Sequence, residues 1–109
     1  MIPILLMAIL VQNMTSLSQA ILINDYVEST VEYTYFKYPR GIETTLKTGI
    51  GDCTDKAMLI CAYLEAINFT CTLQHGYIHG SKHDYYTVLI DNVSYTSSIH
   101  TLYIGDGIW

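Results

Sequence analysis

The feature that most constrains the fold is an unbroken apolar run of eight residues, Ala57 to Leu64. The segment around it, from Thr54 to about Ile67, is rich in helix formers and ends at Asn68. A helix that is apolar almost all round must be enclosed by other elements, because none of its sides is suited to water. The run therefore predicts a central, buried helix whose first turn is held in place.

Length and composition are those of a small folded domain. The chain has 109 residues, of which half are hydrophobic and 14% are charged, and this balance excludes disorder. A chain of this size buries roughly two-thirds of its unfolded surface, so we expect one domain over residues 1–109. The net charge of −5 leaves no basic patch to neutralise phosphates. We therefore expect no binding to nucleic acid.

The segment before the central helix predicts a second helix and a connecting stretch. Thr15 or Ser16 is suited to cap a helix that extends to about Glu32. Residues 33–38 favour an extended strand, and residues 43–48 predict a polar connection with room for one short helical turn. The predicted core side of the helix carries Leu17, Ala20, Ile21, Val27 and Val31, and its opposite side carries Asn24, Asp25 and Glu28.

The C-terminal half predicts an antiparallel sheet. Residues 70–74 have strand character, and residues 75–82 resemble a hairpin connection. Residues 85–90 alternate as the next strand, which the turn pair Asp91-Asn92 ends, and residues 94–104 supply a further strand. Because helices come first and strands follow, the predicted class is α+β.

The N-terminal segment from Met1 to Val11 is apolar apart from Pro3. Its length suits the apolar region of a signal peptide and is too short to span a bilayer, so no stable membrane span is predicted. A cleavage pattern at Ser18-Gln19-Ala20 lacks a basic region before it and falls inside a predicted helix, which favours an N-terminal element packed on the domain. Cytoplasmic and exported locations stay open, as does a membrane-associated accessory role.

The three cysteines divide into two classes. Their odd number and the absence of C-x-x-C spacing indicate neither a disulfide framework nor a structural zinc site, so Cys61 and Cys71 are predicted to be small buried hydrophobes. Cys53 differs because it follows Gly49-Ile50-Gly51-Asp52 and begins the central helix. The first helical N–H groups and the positive end of the helix dipole stabilise a thiolate at such a position. Cys53 is therefore a candidate nucleophile.

A cysteine nucleophile needs a group that carries the proton to the leaving group, and an imidazole does this well. His83 stands at the head of the alternating strand, and if that strand crosses the first turn of the central helix, Cys53 and His83 meet. From spacing alone, the stronger alternative is a simple turn with an incidental cysteine. A metal site on His75, His79 and His83 is weaker still, because the glycines between them disfavour a helix.

Several blocks of the sequence resemble a known family. Residues 18–36, the segment Thr45–Ala57, and the blocks Gln74-His75-Gly76-Tyr77 and His83-Asp84-Tyr85 are similar to the core of the transglutaminase-like cysteine protease superfamily. The resemblance covers about residues 16–98 and is closest to the microbial and archaeal branch that includes pseudomurein endoisopeptidases. It implies a papain-like core in which a central helix begins with the nucleophile, Cys53, and the sheet carries the general base and acid, His83.

The third catalytic position of that family is an aspartate shortly after the histidine strand, where it orients the imidazole. This chain has no acid at the matching place, and the aligned residue is Ser98 or Tyr95, depending on the gap. Either can hydrogen-bond an imidazole as a neutral group. Asp91 or Asn92 would reach it only through a shifted turn.

The resemblance implies a cysteine hydrolase or acyltransferase that attacks an amide or isopeptide bond of a peptide or protein through a thioester on Cys53. A cell-wall peptide is the substrate that family analogy suggests. Hydrolysis is favoured over cross-linking, because so small a domain offers few surfaces for a second, amine substrate. The alternative, motivated by the missing acid, is a catalytically inactive binding module of the same fold. No metal or other cofactor is expected, and no oligomeric state is predicted.

Overall fold

The structure, a computed structural model, describes residues 1–78, 80–97 and 102–104. Helices come first along these residues and an antiparallel sheet follows, which confirms the α+β class. In chain order the elements are α1 (Ile4–Leu10), α2 (Ser16–Thr30), β1 (Glu32–Tyr33), α3 (Ile42–Thr48), β2 (Ile50–Gly51), α4 (Cys53–Glu65), β3 (Thr70–Ile78), β4 (Ser81–Ile90), β5 (Val93–Ser97) and β6 (Leu102–Ile104).

Helix α4 is the centre of the core, as its apolar run predicts. Leu59, Ile60 and Leu64 are buried. The helix contacts α1, α2 and α3 on one side and strands β3 and β4 on the other. Because neighbours surround α4, most of its apolar residues are removed from water. The first turn of α4 is consequently held in a defined position.

Strands β3 to β6 form an antiparallel sheet in the order β3-β4-β5-β6. In the β3–β4 pair, His75 lies opposite Asp84 and Gly76 lies opposite His83. Side chains alternate between the two faces of a strand, so Asp84 and His83 belong to different faces of β4. The face packed against the helices carries the buried residues Asp84, Tyr86, Val88 and Ile90.

The β3–β4 hairpin is longer than the sequence predicts. The sequence predicts a connection over residues 75–82, yet β3 continues to Ile78 and β4 begins at Ser81. The register is continuous from the pair of Thr70 and Leu89 to the pair of Ile78 and Ser81. Cross-strand pairing of this length outweighs the low strand propensity of glycine, which is a context-dependent preference.

The segment between α2 and α4 also differs from expectation. The strand predicted over residues 33–38 is reduced to β1, which pairs in parallel with β2. The segment predicted as a polar connection is helix α3, which buries Thr45 and ends at Gly49 in the left-handed conformation, with φ 69°. Packing of α3 against α4 compensates for its weak amphipathic pattern.

The buried face of α2 is rotated from the one predicted. Ala20, Ile23, Asn24 and Val27 are buried, whereas Leu17 and Ile21 are exposed. The sequence pattern places Asn24 on the solvent side, but Asn24 accepts a hydrogen bond from the Tyr86 hydroxyl at 2.5 Å. A buried amide is tolerated when it is hydrogen-bonded, and periodicity alone does not reveal such a partner.

A disulfide joins Cys61 of α4 to Cys71 of β3, with Cα atoms 5.4 Å apart. The prediction that both are free buried hydrophobes was wrong. Ten residues separate them in sequence, and only the packing of β3 against α4 brings their Cα atoms within bonding range. Cys53 is the free cysteine.

The N-terminal residues pack on the core. Met7 and Val11 are buried, and the backbone of Ile2 bonds to the hydroxyls of Tyr26 and Tyr63. The other side of α1 exposes Leu5, Leu6, Ile9 and Leu10. Among the described residues, no helix combines the length and apolar character that a membrane crossing requires.

Candidate active site

The first turn of α4 is fixed by a reciprocal cap. The side chain of Asp52 accepts a hydrogen bond from the Asp55 N–H at 2.9 Å, and the side chain of Asp55 accepts one from the Asp52 N–H at 3.2 Å. This pattern satisfies two N–H groups at the helix start. Burial raises the pKa of Asp52, and the hydrogen bond from the backbone N–H of Asp55 acts in the opposite direction. The cap makes Cys53 the first helical residue.

Asp55 also organises the loop before α3. Its buried carboxylate accepts hydrogen bonds from the backbone N–H groups of Arg40 at 2.9 Å and Gly41 at 3.0 Å. A Cβ at Gly51 would lie 2.7 Å from the Asp55 Cβ, so this approach requires glycine. Sequence analysis missed this role, although the Asp52-x-x-Asp55 spacing resembles that of a capping box.

A cavity of about 400 Å³ opens beside Cys53. Its wall combines residues of α2, β1, the first two turns of α4, strand β4 and the end of β5. Cys53 and His83, which the sequence proposed as partners, both border it. The lining residues are Glu28, Tyr33, Cys53, Lys56, Ala57, Ile60, Ser81, Lys82, His83, Asp84, Tyr85, Tyr86 and Ser97.

His83 is half-buried at the cavity. Its ring stacks with that of Tyr85, with centroids 6.3 Å apart and planes inclined by 10°. Burial lowers the pKa of His83, while the carboxylates of Asp84 and Glu28 act in the opposite direction. The net lowering favours a neutral imidazole near neutral pH, the form that accepts a proton.

Asp84 lies on the buried face of β4, next to His83 in sequence. It accepts a hydrogen bond from Thr54 Oγ1 at 2.5 Å, and its other oxygen lies 2.8 Å from His75 Nδ1. Burial by itself raises the pKa of Asp84, but the bonds from Thr54 and His75, with the charges of His75 and Lys82, outweigh it and lower the pKa. The sequence prediction did not include this carboxylate. Its signal is an acid at one of the strand positions that are otherwise apolar and buried.

The parts of the cavity wall formed by α2, α4 and β1 carry further polar groups. Lys56 of α4 and Glu28 of α2 form an ion pair at 3.5 Å. Burial, together with the nearby Cys53 and Asp52, raises the pKa of Tyr33. The tyrosine hydroxyl therefore stays protonated and can donate a hydrogen bond into the cavity.

The residues considered for the third catalytic position lie in different parts of the chain's structure, and one lies outside the described residues. Asp91 and Asn92 form the exposed turn after β4, about 26 Å from His83 at the usual rise per strand residue. Tyr95 lies opposite Val88 in the middle of the sheet. None of these three borders the cavity. Ser98 falls outside the described residues, so the third position stays a prediction.

Ser97 is the described residue of β5 that borders the cavity. Its hydroxyl accepts a hydrogen bond from the Tyr86 N–H at 3.0 Å and donates one to the Tyr86 carbonyl at 3.2 Å. The family resemblance matches the third catalytic position to Ser98 or Tyr95 and not to Ser97. A serine that bonds a strand backbone has no distinguishing signal in sequence.

The histidines do not form the helical array considered as a metal site. His75 and His83 lie in strands β3 and β4, and their register puts them on opposite faces of the sheet. His79 falls outside the described residues. In the part of the chain that the structure describes, no three His, Cys, Asp or Glu side chains cluster in a way that could hold a metal ion.

Comparisons with known proteins agree with this architecture. The chain is similar, with a TM-score of 0.78 and 18% identity, to the crystal structure of a "putative cysteine protease" from Cytophaga hutchinsonii, over 93% of this chain and 39% of that one. No curated protein matches the sequence. At this identity the likeness shows the fold, a papain-like transglutaminase core. The model of the transglutaminase-like superfamily matches residues 7–109. The chain therefore belongs to the transglutaminase-like superfamily.

Proposed function

We propose that the protein is a cysteine hydrolase or acyltransferase that cleaves an amide or isopeptide bond through a thioester on Cys53. The observation that carries the proposal is that Cys53, at the start of α4, and His83, on β4, border one cavity. The cavity supplies a nucleophile, a proton carrier and space for an acyl group. Membership of the superfamily and the fold it shares with a protease-like protein support the same kind of chemistry.

In the first step the Cys53 thiol passes its proton to the neutral imidazole of His83. The thiolate Sγ then forms a bond to the carbonyl carbon, and the electron pair of the C=O bond moves to the oxygen. The backbone N–H of Cys53 stabilises this oxyanion, because it has no intrahelical acceptor and lies at the positive end of the helix dipole.

In the second step the electron pair of the oxyanion re-forms the C=O bond as the C–N bond breaks, and the leaving nitrogen takes the proton from the His83 imidazolium. The acyl group stays on Cys53 as a thioester. A water molecule then attacks the thioester carbon while His83 takes one of its protons. The C–S bond breaks, the Cys53 thiolate takes that proton back from His83, and a carboxylic acid is released. An amine in place of water would give acyl transfer.

The substrate class follows from this chemistry and from the family. We propose a peptide or protein amide, with a cell-wall peptide as the candidate that family analogy favours. The chain spans 39% of the length of the solved structure that it matches. The substrate of the whole protein is therefore proposed together with the activity of this domain. Ser98 is the proposed third member of the catalytic set.

The proposal is tested by the reactivity of Cys53. Iodoacetamide is applied without reductant, since Cys61 and Cys71 are then joined and Cys53 is the free cysteine. We expect Cys53 to react at pH 6 about tenfold or more faster than free cysteine, because His83 at the same cavity takes the thiol proton in the proposed mechanism. Cys53→Ala should abolish labelling, and His83→Ala should slow it.

A folded wild-type protein that reacts no faster than free cysteine would contradict the proposal. That result would favour the inactive binding module, since a transglutaminase fold without thiolate activation retains a cavity but no nucleophile. Intact mass measurement of labelled protein identifies the modified cysteine, and circular dichroism confirms that each variant is folded.

A further inference from the structure

A hydrogen bond in the cavity wall joins the sequence neighbours of the two proposed catalytic residues. Thr54 follows Cys53 on α4, and Asp84 follows His83 on β4. Thr54 Oγ1 donates to Asp84 Oδ2 at 2.5 Å. Because each partner is covalently attached to a proposed catalytic residue, this bond sets the position of the first turn of α4 relative to β4.

The contact differs from an ordinary packing contact. The Asp84 side chain is 5% exposed, and a buried carboxylate is costly to desolvate, so an apolar pair of the same volume would hold a helix to a sheet at least as firmly. A hydroxyl–carboxylate bond adds direction, which apolar contacts lack. His75 Nδ1 lies 2.8 Å from the other oxygen, so the two oxygens of the carboxylate have separate partners.

We propose that Asp84 is a positioning residue, which holds Cys53 and His83 at the same cavity through its hydrogen bond with Thr54. This inference rests on the proposed function. Asp84 acts through the backbones of α4 and β4 and does not contact the scissile bond. Helix α4 is already anchored to β3 by the disulfide of Cys61, two turns away, so the Thr54–Asp84 bond adds its constraint at the cavity end of the helix.

The charge of Asp84 also affects His83, in addition to the hydrogen bond that positions it. Its carboxylate favours the imidazolium form of His83, as Glu28 of α2 does. Among the described residues, the other titratable groups that line the cavity are Cys53 and Lys56 of α4, Lys82, Tyr85 and Tyr86 of β4, and Tyr33 of β1. In this chain Asp84 therefore supplies part of the field that an aspartate at the third position supplies elsewhere.

The test measures the rate of iodoacetamide alkylation of the full chain between pH 5 and pH 9. Thr54→Val keeps the shape of the side chain and removes the hydroxyl donor. We expect alkylation at pH 6 to slow by about tenfold or more, with the pH profile moved toward that of free cysteine, because a displaced pair loses its mutual stabilisation. Thr54→Ser restores the donor and should recover the rate to within about twofold of wild type.

The matched control is His75→Gln, which changes the other partner of the carboxylate and leaves the Thr54 bond in place. Its alkylation profile should stay within about twofold of wild type. A folded Thr54→Val protein with an unchanged profile would overturn the positioning role. An equal loss in His75→Gln would also overturn it, since the effect would then come from loosening Asp84 in general.

Failure of this inference is distinguishable from failure of the proposed function. A reactive wild-type protein that Thr54→Val leaves unchanged overturns the positioning role alone. A wild-type protein as slow as free cysteine overturns both, because there is then no reactive pair to position. If Thr54→Val does not fold, Thr54→Ala replaces it, because alanine has the higher helix propensity.

Discussion

At the scale of single residues, two buried aspartates set the geometry of the cavity. Asp55 binds the backbone on both sides of α3, and Asp84 joins β4 to the first turn of α4. Each carboxylate is satisfied by several donors, which makes its burial tolerable. The candidate nucleophile, Cys53, thus begins a helix whose first turn is hydrogen-bonded to the segments around α3 and to β4.

Asp84→Asn tests the charge of one of these groups through stability. Because the folded pKa of Asp84 is lowered, its ionised form contributes stability above the unfolded pKa of about 3.9 and loses that contribution as the pH falls through the folded pKa. We expect wild type to exceed Asp84→Asn by about 1–2 kcal/mol at pH 7, with the gap closing below about pH 4. Urea unfolding at several pH values measures the gap, and a constant gap from pH 7 to pH 3 would contradict this account.

At the scale of elements, the main constraint is the attachment of α4 to β3. The disulfide between Cys61 and Cys71 closes a short loop that contains the end of the helix and the beginning of the strand. A cross-link of this kind limits the freedom of the unfolded chain. It therefore keeps the sheet packed on the helix that carries the candidate nucleophile.

Reduction of this disulfide should lower the free energy of unfolding by about 3 kcal/mol, as loop-closure entropy predicts for a loop of this size. The measurement is guanidinium unfolding with and without reductant, in a Cys53→Ala background so that thiol exchange does not interfere. The matched control is the Cys61→Ala/Cys71→Ala protein, whose stability should not respond to reductant. Equal stability of reduced and oxidised protein would show that the cross-link adds nothing.

At the scale of the whole molecule, the N-terminal helix is part of the core. Met7 is 2% exposed and packs in the cluster around α4, whereas Leu5 on the same helix is 75% exposed. A buried side chain of this size carries far more transfer free energy than an exposed one. Helix α1 thus stabilises the helix that bears Cys53.

Met7→Ala should destabilise the protein by about 2–5 kcal/mol, the usual cost of emptying a core position. Leu5→Ala is the matched control on the same helix and should change the stability by less than about 0.5 kcal/mol. Urea unfolding followed by circular dichroism measures both. Similar values for the two variants would mean that α1 does not contribute to the core.

Much of the fold could be predicted from sequence because it depends on local patterns. The apolar run from Ala57 to Leu64 predicts a buried helix, and alternation in residues 85–90 predicts a strand. The face of α2 and the length of the β3–β4 hairpin could not be predicted in this way. Asn24 is buried because Tyr86 reaches it from the sheet, and residues 75–78 are extended because β4 pairs with them.

The sequence by itself determined the class and the central helix through local patterns, and its resemblance to a known family supplied the two candidate residues, Cys53 and His83. Only the tertiary structure decided that Cys53 and His83 border one cavity, that Cys61 bonds Cys71 and that Asp84 binds Thr54. The physical reason is distance along the chain. Contacts between residues 10 to 30 positions apart depend on how α4 packs against the sheet, which no local pattern encodes.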